Sequence, residues 1–214
     1  MTQTQKKQAM LKIVDALAAA YPNARCSLEY ETPFQLLVAT RLSAQCTDAR
    51  VNLVTPALFA ALPTPKDFAN ATVAEVENLI KTCGLYHTKA RDLVKLGQVL
   101  CSEFEGEVPN SLEQLITLPG IGRKTANLIM GDVYGQPAVV ADTHFIRLCN
   151  RFGMVNSKDP KKVETAMRAL LPPKDSALFC HRTVLHGRAV CTARAPKCQS
   201  CCLQGLCAAV GVKK

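Results

Sequence analysis

The chain has 214 residues, 48% hydrophobic and 20% charged, enough for one large domain or two small ones with a substantial core. No stretch approaches the ~18 to 20 apolar residues of a membrane span, and Lys12 and Asp15 interrupt the apolar run behind Lys6 and Lys7, which argues against an export signal. Residues 142–214 hold 13 Lys/Arg against 4 Asp/Glu while residues 1–141 hold 13 of each, so the formal +9 suggests a polyanion partner, a generally basic solvated surface being the competing reading.

Helix signals recur from end to end. Met1 to Tyr21 forms an amphipathic helix with Met10, Ile13, Val14, Leu17 and Tyr21 on one face. Thr32-Pro33-Phe34-Gln35 opens another, with a Thr cap, proline at the first helical position and Gln three residues on. Thr55-Pro56 is expected to break one helix and start the next, because proline in mid-helix costs about 3 kcal/mol. Thr72 to Glu75 repeats the capping box, and Gly84 is placed to terminate that helix. Ser111 to Gln114 opens a short helix running to Leu118 and ended by Pro119-Gly120. Asp142 can cap a helix through Arg151, and Asp159-Pro160 can start one through Leu171. Only "PAVV", 137 to 140, looks extended. These signals predict an all-α fold of about ten helices.

The segment "LPGIGRKTAN", Leu118 to Asn127, is a tight turn followed by a second helix. Gly120 and Gly122 free the backbone for positive φ and close approach. Their amides, with those opening the next helix, can bind a phosphate oxygen without a side chain. The plainer alternative is a structural glycine turn in a helical hairpin. Lys124 follows at once. The macrodipole at a helix N-terminus disfavours its ammonium form, and a lysine held as the free amine is a candidate nucleophile. A solvated or phosphate-bound lysine is the commoner case.

This segment resembles the helix–hairpin–helix of the endonuclease III family of DNA glycosylases. The likeness continues through "LLVATRLSAQCTDARVN" (37 to 52), "IKTCGLYHTKA" (80 to 90), "VVADTHFIRLCNRFG" (139 to 153) and "LHGRAVCTARAPKCQSCCLQGLC" (185 to 207), nearly the whole chain in order. It implies two helical domains. One, residues 26–136, is a six-helix barrel containing the hairpin at 112–131. The other joins residues 1–25 to 137–214 and carries a [4Fe–4S] cluster, and DNA binds in the cleft between the two. It also implies a bifunctional glycosylase and abasic-site lyase that removes oxidised pyrimidines such as thymine glycol in base excision repair. In that reading Lys124 attacks C1′ of the damaged nucleotide, expels the base and forms an imine, and β-elimination cuts 3′ to the site.

The resemblance aligns Asp142 with the family's essential aspartate, which stabilises the cationic sugar and handles the nucleophile's proton. An ordinary helix cap is its competing role, and one residue can serve both. His144 packs or hydrogen-bonds rather than catalyses. Gln45 is implied to fill the gap left by a flipped nucleotide and Leu85 to wedge the opposite strand; taken alone, they are a loop glutamine and a core leucine. Gly120, Gly122 and Arg123 would hold DNA phosphates, and Arg194 and Lys197 would face the backbone. Arg41 stands where many members carry an apolar residue, and Ala195 where they often carry a basic one. The partner is duplex DNA with a damaged or abasic nucleotide, met by a cytoplasmic, nucleoid-associated monomer.

Eleven cysteines, an odd number, fit a reducing compartment better than a disulfide framework. Cys26, Cys46, Cys83, Cys101, Cys149, Cys180 and Cys202 are scattered, most of them acting as small buried hydrophobes. Cys191, Cys198, Cys201 and Cys207 are spaced C-x6-C-x2-C-x5-C, unlike the paired C-x2-C of zinc ribbons. Zinc stays open on spacing alone. The resemblance implies that these four hold the [4Fe–4S] cluster, and it favours Cys201 over its neighbour Cys202. Two rival readings are a sister glycosylase with another target base and a non-catalytic DNA-binding module with a zinc knot.

Overall fold

Threonine, serine and aspartate caps delimit most of the helices in the computed structural model, which describes residues 1–212. In chain order the helices are α1 (Gln3–Ala20), α2 (Pro33–Leu42), α3 (Asp48–Ala61), α4 (Pro65–Asn70), α5 (Val73–Ile80), α6 (Tyr86–Glu103), α7 (Leu112–Leu115), α8 (Arg123–Asp132), α9 (Thr143–Arg151), α10 (Pro160–Arg168) and α11 (Ser176–Ala189). Short 3₁₀ turns occupy Pro173–Asp175 and Cys198–Ser200, and no strand occurs among the described residues. Thr2, Thr32, Thr47, Thr64, Thr72, Ser111, Asp142 and Asp159 each accept a hydrogen bond from the amide three residues on. Each such cap contributes about 1 kcal/mol. The chain falls into two compact units, Cys26–Tyr134 and Met1–Arg25 with the chain from Gly135 onward.

In the first unit α6 packs against α4, α5 and α2, while α2 also meets α3 and α8, and α7 meets α8. Leu36, Leu37, Leu58, Phe68, Leu93, Leu96 and Ile129 are fully buried there, and Phe34 and Phe68 meet edge to face at 5.3 Å. Burial of each large apolar side chain stabilises by roughly 1.5–3 kcal/mol. The core also contains a charge. Lys89 of α6 is fully buried, and its Nζ donates to the carbonyl of Leu42, the last residue of α2, at 2.7 Å. A cation on the final carbonyls of a helix opposes the negative end of its dipole.

In the second unit Met10, Ile13, Val14 and Leu17 of α1 share a core with Phe145, Leu148, Val163, Met167 and Phe179. Phe145 and Phe179 stack edge to face at 6.1 Å. Leu203, from the cysteine-rich segment, is buried in this same core, and Cys191, Cys201 and Cys207 pack on its edge.

The structure departs from the sequence expectations at several helix ends. Thr55-Pro56 does not break α3, which runs on with Pro56 inside it. Val51, Val54, Thr55 and Leu58 are buried on both sides of the proline, and that packing offsets the lost hydrogen bond. Gly84 does not end α5, which stops at Ile80 with Lys81 as its cap; the left-handed residue is Leu85, before α6. α7 is a single turn ending at Leu115, short of Leu118, and α10 ends at Arg168 because Leu170 and Leu171 turn into the core. Two of the scattered cysteines, Cys101 and Cys202, are exposed rather than buried.

Candidate functional site

α7 and α8 form the two arms of the hairpin. Ile121 N donates to Leu118 O at 3.1 Å, closing the turn, and Ile121 itself is buried beneath it. The two glycines have different reasons for being there. Gly120 is left-handed, with φ of 72°. A Cβ on it would lie 2.5 Å from Arg41 Nε and 2.9 Å from Asp92 Oδ2. Gly122 has φ of −96° and ψ of 171°, so the positive φ expected for it is absent. This is extended backbone that any residue adopts. A Cβ there would meet no heavy atom within 4 Å. Its Cβ side is open space.

Gly122 is also the N-cap of α8, and no side chain caps that helix. The first amides of a helix have no intrahelical acceptor, so this end can receive an anion. Arg123 and Lys124, the first two residues of α8, are both exposed. Lys124 therefore stands on the first turn, at the positive end of the helix dipole.

Gln45 and Leu85 share an unusual backbone. Gln45 has φ of 52° and Leu85 φ of 59°, two of the four positive-φ residues other than glycine among those described. A left-handed conformation costs a residue with a Cβ roughly 1–2 kcal/mol. Leu85 is 57% exposed, so it is not the core leucine that the plainer reading expects. Gln45 is exposed as well. Their loops touch: a Cβ on Gly84 would lie 3.3 Å from the Gln45 carbonyl.

Asp142 caps α9, with Oδ1 accepting from the Phe145 amide at 2.7 Å. Only one carboxylate oxygen is engaged by that bond, so acceptor capacity is left over. His144 sits against Arg147, with Nδ1 and Nη2 at 3.1 Å, and burial pushes its imidazole below the ordinary value. A half-buried, neutral histidine fits the packing role expected of it.

The four spaced cysteines, Cys191, Cys198, Cys201 and Cys207, all line one cavity of about 350 Å³. Cys202 is not among its lining residues. Donors aim at the sulfurs: Leu203 N at Cys201 Sγ (3.4 Å), Ala209 N at Cys207 Sγ (3.3 Å) and Arg151 Nη1 at Cys191 Sγ (3.2 Å). Burial pushes the Cys201 thiol up to about 11 and raises that of Cys207, so a metal binding here must displace protons. Four thiolates on one zinc would stand about 3.8 Å apart, given Zn–S bonds of about 2.3 Å. Among the described residues the ligand atoms gathered within 4.8 Å are those of His186, Cys201 and Cys202, not any three of the four spaced cysteines. The cavity, its four lining sulfurs and the N–H donors aimed at three of them make a site that can hold a metal. Arg194 and Lys197, in the loop between Cys191 and Cys198, are exposed.

Several contributors have no local sequence signal. Arg147 and Arg151, one turn apart on α9, both donate to the carbonyl of Cys191, and Arg151 also reaches those of Thr192 and Ala193. Part of the basic excess in the last third thus holds the cysteine loop rather than a polyanion. His186 is buried with Nε2 3.3 Å from Cys201 Sγ and Nδ1 3.0 Å from the Tyr21 hydroxyl. In the hairpin unit, Arg41 pairs with Asp92. Spacing of "R-x3-R" next to an aspartate-capped helix is the one clue that could have drawn attention to Arg147 and Arg151.

Comparison with known proteins extends over nearly all of these segments. The family model of the HhH-GPD superfamily base excision DNA repair proteins matches residues 38–173, taking in Gln45, Leu85, the hairpin and Asp142. Endonuclease III of Synechocystis sp. is 46% identical over 203 residues, 94% of this chain and 93% of the relative. Endonuclease III of Bacillus subtilis is 40% identical over 91% of this chain and 89% of its own. A solved structure of a trapped endonuclease III–DNA covalent intermediate superposes with a TM-score of 0.89 at 39% identity, covering 97% of this chain and 96% of that one. The helices, the hairpin and the aligned span agree, and the chain belongs to the endonuclease III family within the HhH-GPD superfamily of base excision DNA repair proteins.

Proposed function

We propose that this chain is a bifunctional DNA glycosylase and abasic-site lyase that removes oxidised pyrimidines such as thymine glycol from cytoplasmic duplex DNA. The observation that carries the reading is the place of Lys124: an exposed amine on the first turn of a helix that no side chain caps. As the free amine its Nζ attacks C1′ of the damaged nucleotide. The bond from C1′ to the base breaks, and its electron pair leaves with the base, which takes up a proton. Asp142 stabilises the positive charge on the sugar as that bond lengthens and accepts the proton released by the amine. The C1′–O4′ bond then opens, its electron pair leaving with O4′, which takes up a proton, and C1′ becomes an imine. That imine acidifies C2′; loss of a C2′ proton expels the 3′ phosphate and cuts the strand.

The backbone at Gly120 and Gly122, with Arg123, grips a phosphate, and Arg194 and Lys197 meet the DNA backbone. Gln45 fills the gap and Leu85 wedges the opposite strand while the damaged base is out of the stack. Cys191, Cys198, Cys201 and Cys207 hold a [4Fe–4S] cluster that, when bound, orders the loop around it. Support comes from the relatives, which are endonuclease III, one of them captured covalently on DNA.

The test is borohydride trapping on a duplex carrying one thymine glycol, with the wild type beside Lys124→Gln. A covalent adduct that disappears in the variant is expected. An equal adduct in both assigns another nucleophile, and none from an iron-loaded, base-releasing wild type makes the enzyme monofunctional. Iron and acid-labile sulfide in roughly equal amounts check the cluster, and stoichiometric zinc overturns it.

A further inference from the structure

The hairpin turn rests on a charge pair contributed by two other helices. Arg41, in the last turn of α2, directs Nε and Nη2 at Asp92 Oδ2 of α6, at 2.9 and 2.5 Å. Its side chain is only 13% exposed, and that of Asp92 28%. The pair lies directly under Gly120: the Cβ that glycine lacks would fall 2.5 Å from Arg41 Nε, 2.8 Å from Arg41 Cδ and 2.9 Å from Asp92 Oδ2. A guanidinium held along its Nε–Nη2 edge by a charged partner cannot easily move aside, so the turn above has one seat.

We propose that the Arg41–Asp92 pair braces the glycine turn in its phosphate-gripping form, making Arg41 a positioning residue for DNA binding. This rests on the proposed role of the hairpin, and it goes beyond it by naming what fixes the hairpin's shape. Arg41 does not touch the phosphate. It fills the space under Gly120, two residues ahead of the uncapped start of α8. The same helix, α6, begins at the Leu85 wedge, and through Lys89 it holds the end of α2 ahead of the Gln45 loop. One helix thus anchors three of the segments assigned to DNA.

The test is duplex binding as a function of salt, with Arg41→Leu, Arg41→Lys and Asp92→Asn beside the wild type. Undamaged duplex is used for the salt series, because gripping a phosphate needs no lesion. Loss of one phosphate contact should weaken binding about tenfold and make the slope of log K against log salt shallower by about 0.9. Arg41→Leu and Asp92→Asn should both weaken binding, and Arg41→Lys should recover part of the loss. On a lesion duplex, KM should rise about tenfold while kcat moves less than threefold.

A simple charge effect makes the opposite prediction for Asp92→Asn, which would then bind DNA more tightly than the wild type; that result overturns the brace. So do unchanged affinity and salt slope in variants whose melting temperature alone has fallen. If Arg41→Leu does not fold, the near-isosteric Asp92→Asn decides the matter by the sign of its effect. Failure of the glycosylase reading shows separately, as a wild type that binds duplex but forms no adduct with thymine glycol DNA.

Discussion

Replacing each hairpin glycine by alanine should cost very different amounts of folding stability while both replacements weaken DNA binding. At Gly120, with φ of 72°, a Cβ costs roughly 1–2 kcal/mol of backbone strain. It would also approach Arg41 Nε to 2.5 Å, forcing the guanidinium off Asp92. A charge-assisted bond is worth roughly 1.5–3 kcal/mol, so Gly120→Ala should lose about 2–4 kcal/mol. At Gly122 the backbone is extended and the Cβ meets no heavy atom within 4 Å. There alanine narrows the unfolded ensemble, a gain of about 0.4–1 kcal/mol, but it is a poorer N-cap than glycine by a similar amount, so stability should change by less than about 1 kcal/mol. At roughly 2–4 °C per kcal/mol for a chain of this size, Gly120→Ala should melt about 5–15 °C lower and Gly122→Ala within about 4 °C of the wild type. Scanning calorimetry measures both, and fluorescence anisotropy with a labelled duplex gives affinity. Gly122→Ala should bind about tenfold more weakly despite near-wild-type stability, since the added methyl group occupies the approach of the phosphate. A Gly122→Ala protein that binds like the wild type would refute the reasoning, for the phosphate would not then seat on this face.

Asp142→Asn keeps an acceptor for the Phe145 amide and should hold its melting temperature within about 2 °C while base release falls at least about 100-fold; Asp142→Ala should lose a further ~1 kcal/mol of stability with the cap. Equal activity of Asp142→Asn and wild type would reduce the residue to a cap. Leu85→Asn, which suits a left-handed backbone and removes an exposed apolar group, should match or exceed wild-type stability by up to about 1 kcal/mol in urea titration, yet lose affinity for lesion duplexes. A large loss of stability would make Leu85 a packing residue after all. Iodoacetamide at about pH 8, followed by peptide mapping, should label exposed Cys101 first; burial, with Asp132 and Asp48 nearby, pushes the Cys26 thiol up to about 12, and burial beside Cys46 pushes Cys83 up to about 11. Raised values mean little thiolate, so comparable labelling of half-buried Cys26 in the native protein would contradict that protection.

Helix starts were legible because they are local. Thr72 and Glu75, or Thr32 and Gln35, make their bonds across three residues and need nothing from the rest of the chain. Helix ends were less so, since tertiary packing decides them: α3 passes through Pro56 with buried residues on both sides, and α10 gives way where Leu170 and Leu171 enter the core. The hairpin, Lys124, Asp142 and the four spaced cysteines likewise lie in short contiguous strings. What supports them does not. Arg41 meets Asp92 across 51 positions, Lys89 meets Leu42 across 47, and Arg151 meets Thr192 across 41. No periodicity or motif links residues so far apart, and only the folded chain brings them together.

The same distribution explains where the molecule tolerates strain. Gln45 and Leu85 are left-handed and exposed, so neither recovers its conformational cost by burial. Strain of that kind persists only where the surroundings over-determine the backbone. Those surroundings are specific: Lys89 fixes the end of α2 just before Gln45, and α6 starts immediately after Leu85 and is anchored by Leu93, Leu96 and Leu100 in the core. A buried, hydrogen-bonded ammonium is a costly way to end a helix when a glycine would serve. It gives rigidity in return, because moving the Gln45 loop would strip Lys89 of its carbonyl partner inside an apolar core. The insertion proposed for Gln45 and Leu85 calls for a base plate that does not yield, and this unit builds one from a buried lysine of α6 and a part-buried ion pair between α6 and α2.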